Sequence, residues 1–310
     1  MQQDKTKNLL ILPFDHRSSF SKKILQIKGE PDEKQTQQIK DLKQLIFQAF
    51  LQVQQNDKHP QELGILVDEQ YGKEIVDKAN EKGIPVASGV EASGHDVLHF
   101  EYGRKFGKHV KKLDPDYVKV LVRYHPENPK GNKTQIKRLK KLSKFCKKVN
   151  KPLLLELLVP PTKEEKELDH YDTQIRPQKT AKAIKELEGK VDVAIWKLEG
   201  FSAKGWKAVL EALPQDAKVV VLGRGEDAQM VHFWLKEAAQ FEQIIGFAIG
   251  RTIFMDPLLK LLKEEISEEA AKDQIAQNYK AFIDLWRNAK QESQESIESA
   301  NSNEEEEKAA

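Results

Sequence analysis

Eight short apolar runs, each followed by a stretch with helical spacing, constrain this chain more than any other feature of it. They fall at residues 8–14 (NLLILPF), 63–69 (LGILVDE), 84–88 (IPVAS), 116–124 (DYVKVLVRY), 152–159 (PLLLELLV), 191–198 (VDVAIWKL), 218–223 (KVVVLG) and 244–250 (IIGFAIG). Most are rich in β-branched residues and read as buried strands. The segments between them, such as 33–55 and 133–149, place apolar residues at helical spacing. Strands that alternate with helices pair in parallel. An open doubly wound sheet is the rival architecture, but eight repeats within about 250 residues fit a single closed (β/α)8, or TIM, barrel of class α/β.

The barrel is expected to occupy residues 1–290, with an extra C-terminal helix over 268–290. Pro257 is read as sitting just inside a helix, where a missing N–H costs nothing. From residue 291 to 310 the chain has seven glutamates, one lysine and almost nothing apolar, so a disordered acidic tail is expected there.

Composition excludes several function classes. Fifty-one Lys and Arg against 49 Asp and Glu leave a net charge of +2, too little for a whole-molecule field aimed at nucleic acid or membrane. Residues 133–151 carry nine basic residues and no acidic one, but Ile136, Leu139, Leu142, Phe145 and Val149 form a core-facing stripe and no aromatic interleaving suits base stacking. A solvated outer helix is the reading. MQQDKTKN has no apolar targeting core and NLLILPF is too short to span a bilayer, so a cytoplasmic protein is expected. Cys146, the single cysteine, sits in SKFCKKVN and reads as a structural thiol. Self-association is left open.

In such a barrel the loops after the strands build the site, so charged residues at strand ends are the candidates. Lys197 shares a strand face with Val191, Val193 and Ile195; if that face points inward, an ammonium stands among apolar side chains and needs a partner. Lys119 and Glu156 lie in neighbouring apolar runs. A structural Lys–Glu pair accounts for two of these three charges and leaves the third unexplained. A catalytic account uses all three: one cation lowers the pKa of a nucleophilic lysine, and the carboxylate moves protons. An unperturbed lysine is neutral only about once in 2,500 molecules at pH 7. Asp15 in FDHR admits two readings, a structural pair with Arg17 or a proton relay near the lysines.

The last two strand ends, GRGED and IGRT, put Gly223, Arg224, Gly225, Gly250 and Arg251 at loops that open helices, where free N–H groups favour a phosphate. GRGEDA also matches a dinucleotide fingerprint, but the βαβ unit expected with it is absent and no cofactor is expected. His95 and His99 are four apart, on one face if helical, with no HExxH or HxH beside them. Asp68, Glu69 and Glu91 are acidic but opposed by strand-end cations, so no metal site is expected.

The series ILPFDHRSSF, ILVDEQYG, EASGHDVLHFEYG, VKVLVRYHP, LLLELLVPPT, YDTQIRP, WKLEG, VLGRGED and FAIGRTIFMDPL, over residues 9–287, resembles the 2-deoxy-5-keto-gluconate-6-phosphate aldolase domain, which is often fused to a sugar kinase in inositol catabolism. More distantly the chain is similar to class I tagatose-bisphosphate aldolases through its VKVL, LLE and KxE patterns. The resemblance implies that Lys197 is the Schiff-base lysine, Lys119 a helper, Glu156 the acid/base group and Asp15 the strand-one aspartate, with Gly223, Arg224, Gly250 and Arg251 around a phosphate. It implies a phosphosugar substrate, cleaved to dihydroxyacetone phosphate and malonate semialdehyde, and phosphorylated by a separate kinase. Arg17 or Arg123 is the candidate for the substrate carboxylate. One departure stands out: relatives read EKSG or EKTG where Ala92 replaces the lysine. Two non-enzymatic classes stay open, a phosphosugar sensor, supported by Ala92, and a polyanion-binding protein that uses residues 133–151.

Overall fold

The computed structural model describes residues 8–309, and side chains as far as 296 together with that of 299. The N-terminal MQQDKTK, read above for targeting signals, lies outside the described residues.

Eight strands alternate with helices: β1 (Leu9–Pro13), α1 (Ser18–Lys23), α2 (Glu33–Asn56), β2 (Leu63–Val67), α3 (Glu69–Glu81), β3 (Val86–Gly89), α4 (Phe106–Leu113), β4 (Tyr117–Arg123), α5 (Pro129–Lys148), β5 (Leu153–Leu158), α6 (Arg176–Leu187), β6 (Ile195–Glu199), α7 (Ala203–Leu210), β7 (Lys218–Leu222), α8 (Ala228–Ala239), β8 (Ile244–Ala248), α9 (Arg251–Leu262) and α10 (Glu268–Ala309). All neighbouring strands pair in parallel, and β8 returns to β1, so the sheet is the expected closed TIM barrel.

Alternation along each strand divides the core in two. Leu9, Ile11, Leu66, Ala87, Leu154, Ile195, Val220 and Ala248 fill the barrel interior. The opposite faces, including Val118, Val120, Leu155, Trp196, Leu198 and Val219, pack beneath the helices in a much larger core. Ile195 and Lys197 therefore share the inward face, as do Leu154 and Glu156.

Local signals account for the helix limits. Asp32 and Gln35 form a reciprocal capping box at the start of α2. Asn128 accepts from Gly131 N at 3.0 Å with Pro129 in the first turn, which starts α5 earlier than the apolar spacing suggests. Its basic residues face outward, while Leu139, Leu142 and Cys146 are buried. Burial pushes the Cys146 thiol up to about 12, so it is an inert core group.

One reading is corrected. Pro257 is seven residues into α9, not at its start. Its missing N–H frees the Ile253 carbonyl, and Asn278 of α10 donates its side-chain amide there at 2.9 Å. The interior position is tolerated because a neighbouring helix supplies the lost donor. His95 and His99 lie in a loop closed by an antiparallel bridge between Glu91 and Phe100, not on a helix, and their rings meet at 4.6 Å. The boundary expected at residue 290 coincides with no helix end, since α10 continues to Ala309.

The β1–β8 seam is close-packed and externally tied. A Cβ on Gly246 would fall 2.1 Å from the Leu9 carbonyl oxygen, and one on Gly250 would fall 2.1 Å from that of Pro13. Glycine is what lets β1 approach this closely. From outside, Tyr279 Oη donates to the Leu10 carbonyl at 2.7 Å and Trp286 Nε1 to Asn8 Oδ1 at 3.1 Å. Arg287 bridges Asp57 and Glu62 ahead of β2. Among the described residues no helix is long and apolar enough to cross a membrane.

Candidate active site

At the C-terminal mouth of the barrel, a cavity of about 470 Å³ is lined by residues of most strand ends. Glu156 stands in register with Lys197 across β5 and β6. Its Oε1 lies 3.0 Å from Lys197 Nζ and its Oε2 lies 2.9 Å from Lys119 Nζ. Lys119 also donates to Asp15 Oδ2 at 2.8 Å and to Glu91 Oε1 at 2.6 Å. Asp15, Lys119, Glu156 and Lys197 thus form one cluster, and the lysine side chains are 3% and 5% exposed, so bulk water hardly screens it.

Three carboxylates face two ammonium groups here. Burial alone would lower the Lys119 pKa, but Asp15, Glu156 and Glu91 outweigh it and hold the group well above the ordinary lysine value. Burial pushes Asp15 and Glu156 toward protonation; Lys119 and Lys197 prevail, and both carboxyls stay below their ordinary range. Lys119 is therefore a clamp for carboxylates more than a free positive field. The pair read from sequence as two opposing cations is separated by Glu156, which touches both.

Arg17 does not pair with Asp15. It donates to Glu101 Oε2 at 2.6 Å and to the Glu91 carbonyl. Arg123 reaches the His95 carbonyl at 3.4 Å, and both guanidiniums line the cavity near Ala92 and Ser93. The Ser18 and Ser93 hydroxyls meet at 2.8 Å and tie α1 to the loop after β3.

Opposite them lie the loops after β7 and β8. Gly250 caps α9, and the N–H groups of Arg251 and Thr252 in its first turn have no intrahelical acceptor. The N-terminus of α8 differs, because Asp227 accepts from Met230 N at 2.8 Å and satisfies it internally. Arg251 donates to the Arg224 carbonyl. Arg224 Nη1 lies 3.2 Å from each Asp172 oxygen, and its Nε lies 3.4 Å from Glu199 Oε1. Glu199 is two residues beyond Lys197 on the same face; its second oxygen takes Val159 N at 3.0 Å, and the buried Arg176 stands 3.0 Å from the first.

All the residues nominated from sequence for catalysis, phosphate or the substrate carboxylate line this cavity, and of those weighed for a metal His95 and Glu91 do, while His99, Asp68 and Glu69 do not. Sequence reasoning missed Glu199, Asp172 and Arg176, and it weighed Glu91 only as a metal ligand. The period-two spacing of WKLEG was an available signal for Glu199; nothing in the sequence marked the contact of Asp172 with Arg224. His16 is ambiguous in the sequence together with Asp15, and the sequence assigns it no role of its own. Among the described residues no group of three or more His, Cys, Asp or Glu is placed to hold a metal ion.

A family model described as "Uncharacterized protein conserved in bacteria (DUF2090)" matches residues 1–290. Tagatose 1,6-diphosphate aldolases of Listeria monocytogenes serotype 4a (strain HCC23) and Listeria innocua serovar 6a (strain ATCC BAA-680 / CLIP 11262) are each 28% identical over 276 residues, 79% of this chain and 77% of theirs. A Schiff base-forming fructose-1,6-bisphosphate aldolase superposes with a TM-score of 0.55 at 14% identity, over 90% of this chain and 94% of that one. An archaeal fructose-1,6-bisphosphate aldolase, solved with its catalytic lysine bound to the carbinolamine intermediate, gives a TM-score of 0.54 at 14% identity, over 90% and 94%. These structural likenesses are ones of fold.

Proposed function

This chain belongs to the DUF2090 family, and from that premise we propose that it is a class I aldolase that cleaves a phosphorylated keto sugar through a Schiff base on Lys197. One observation carries the reading: a buried lysine on the barrel axis, its amine 3.0 Å from a carboxylate that a second lysine holds ionised. Burying such a group without function is costly, and the alternative of a plain ion pair leaves Lys119, Asp15 and Glu91 unexplained.

Lys197 adds to the substrate ketone, and Glu156 takes up and returns the nitrogen's protons. The resulting iminium is the electron sink for the bond between its α and β carbons. Glu156 removes the proton of the hydroxyl on the β carbon, and the α–β bond breaks to release an aldehyde and leave the enamine. Protonation and hydrolysis of the enamine free the ketone product. Lys119 holds Glu156 and Asp15 in place and ionised. The phosphate rests on the amides opening α9, with Arg251, Arg224, Gly223 and Gly225 around it. No metal enters any of these steps.

The substrate favoured is 2-deoxy-5-keto-gluconate 6-phosphate, with dihydroxyacetone phosphate and malonate semialdehyde as products; Arg17 and Arg123 then face the carboxylate end. Tagatose 1,6-bisphosphate is a second reading, supported by the Listeria relatives. A coupled assay for dihydroxyacetone phosphate over both compounds and related keto sugars, with and without a chelator, separates the two. Borohydride added with substrate should fix a three-carbon phosphate on Lys197, and Lys197→Met should trap nothing. An adduct on Lys119, turnover by Lys197→Met, or activity lost to a chelator and restored by a divalent ion would overturn this function.

A further inference from the structure

Lys197 needs more than a base. As its amine adds to a carbonyl, negative charge develops on the carbonyl oxygen, and that oxygen must find a donor in a dry cavity. The donors around Lys197 are mostly spent. Lys119 serves three carboxylates, Arg17 serves Glu101 and the Glu91 backbone, and Glu156 is ionised and only accepts.

His16 is different. It follows Asp15 at the end of β1, lines the same cavity as Lys197, Gly250 and Arg251, and is braced edge-on by Phe254 at 6.3 Å between ring centroids. Among the described residues its buried Nδ1 has no partner. An orphaned N–H is the costlier of the two ways to leave a ring nitrogen unpaired, so Nδ1 carries the lone pair and the proton sits on Nε2. Among the described residues Nε2 has no acceptor, yet it is not one of the buried unpartnered atoms, so it opens on the cavity.

We propose that His16 is a catalytic hydrogen-bond donor, whose Nε2–H binds the ketone oxygen of a phosphosugar as Lys197 attacks. The proposal rests on the Schiff-base reading above and adds a residue to it. The C–N bond forms as the carbonyl π pair moves to oxygen. Two protons from the lysine nitrogen, carried by Glu156, convert that oxygen to water as the C–O bond breaks. The balance is ammonium plus ketone to iminium plus water, and His16 is unchanged at the end. It remains a neutral donor throughout because burial, aided by Arg251 and Lys197, outweighs Asp15 and Glu156 and holds its pKa at about 4. A neutral imidazole of this kind polarises a carbonyl without giving up its proton.

The test compares His16→Phe, which keeps the ring and removes the donor, with His16→Gln, whose amide N–H takes the place of Nε2–H. Iminium formation is read as borohydride-trapped adduct against time at saturating phosphosugar, and inorganic phosphate inhibition is measured in parallel. The Phe variant should trap about 10²-fold more slowly, the Gln variant within about tenfold of wild type, and phosphate inhibition should be unchanged in both. Trapping at the wild-type rate by a folded Phe variant overturns the proposal. So does weakened phosphate inhibition with an intact saturated trapping rate, which makes His16 a phosphate ligand. No adduct in the wild-type protein overturns the Schiff-base reading itself, and this proposal with it.

Discussion

Glu156 and Lys197 stand directly opposite one another across β5 and β6, with the carboxylate oxygen and the amine 3.0 Å apart. Strand pairing, not a loop, sets that distance, so the rigid part of the barrel holds Glu156 against Lys197. Lys119 reaches the other oxygen of Glu156 from β4 and fixes its rotamer.

Replacing Lys119 with Met leaves Asp15, Glu91 and Glu156 buried together without their cation. A loss of about 3–5 kcal/mol of unfolding free energy is expected by urea titration. Adding Asp15→Asn should recover part of it, because the remaining repulsion is shared. Additive losses would show that the carboxylates do not interact through Lys119. In the folded fraction, borohydride adducts should still map to Lys197.

The cluster also sets the acid limit of stability. The His16 pKa is lowered from 6.5 to about 4, so the unfolded chain takes up a proton that the folded one refuses. Stability should fall as pH drops from about 6.5 to 4. Asp15 and Glu156 are depressed as well, so their contribution is present above about pH 4 and is lost below it. Lys119 is raised, and its contribution persists below its ordinary value and fades only as strongly alkaline pH passes its folded pKa. Melting curves from pH 3 to 8 should show a two-stage acid decline, and His16→Phe should remove the upper stage. A single stage unaffected by that substitution would refute the assignment.

If Arg224 holds the substrate phosphate, as proposed, Asp172 competes for it. It is 53% exposed, so the ion pair is worth at most about 1 kcal/mol. Asp172→Asn should tighten inorganic phosphate inhibition by up to about fivefold. Unchanged or weaker inhibition would mean that Arg224 does not meet the phosphate.

Asn278→Leu removes the donor that satisfies the Ile253 carbonyl beneath Pro257. A loss of about 1–3 kcal/mol is expected. In a Pro257→Ala background the backbone supplies its own N–H, and the same substitution should cost much less. Equal costs in both backgrounds would break the link.

The barrel and its charged mouth were legible because both follow short-range rules. Apolar runs of strand length mark the eight strands, and period two places Lys197, Lys119 and Glu156 on one inward face once β6 is paired. Features that depend on three-dimensional neighbours were not legible. Arg17 turns to Glu101, 84 residues away, and leaves Asp15 to Lys119. Lys119 carries three carboxylates because Glu91 arrives from a loop whose course the sequence does not mark. Pro257 was misplaced because its compensating donor, Asn278, belongs to another helix.

The seam between β1 and β8 bears on the order in which the molecule is made. β1 carries Asp15 at its end and is made before the other strands, but its partner β8 is the last of them, and the Tyr279 and Trp286 contacts that tie the seam lie 269 and 278 residues further along the chain. A nascent chain therefore holds β1 with one edge open until β8 has been made. The cavity at the barrel mouth is therefore complete only after β8 has closed on β1.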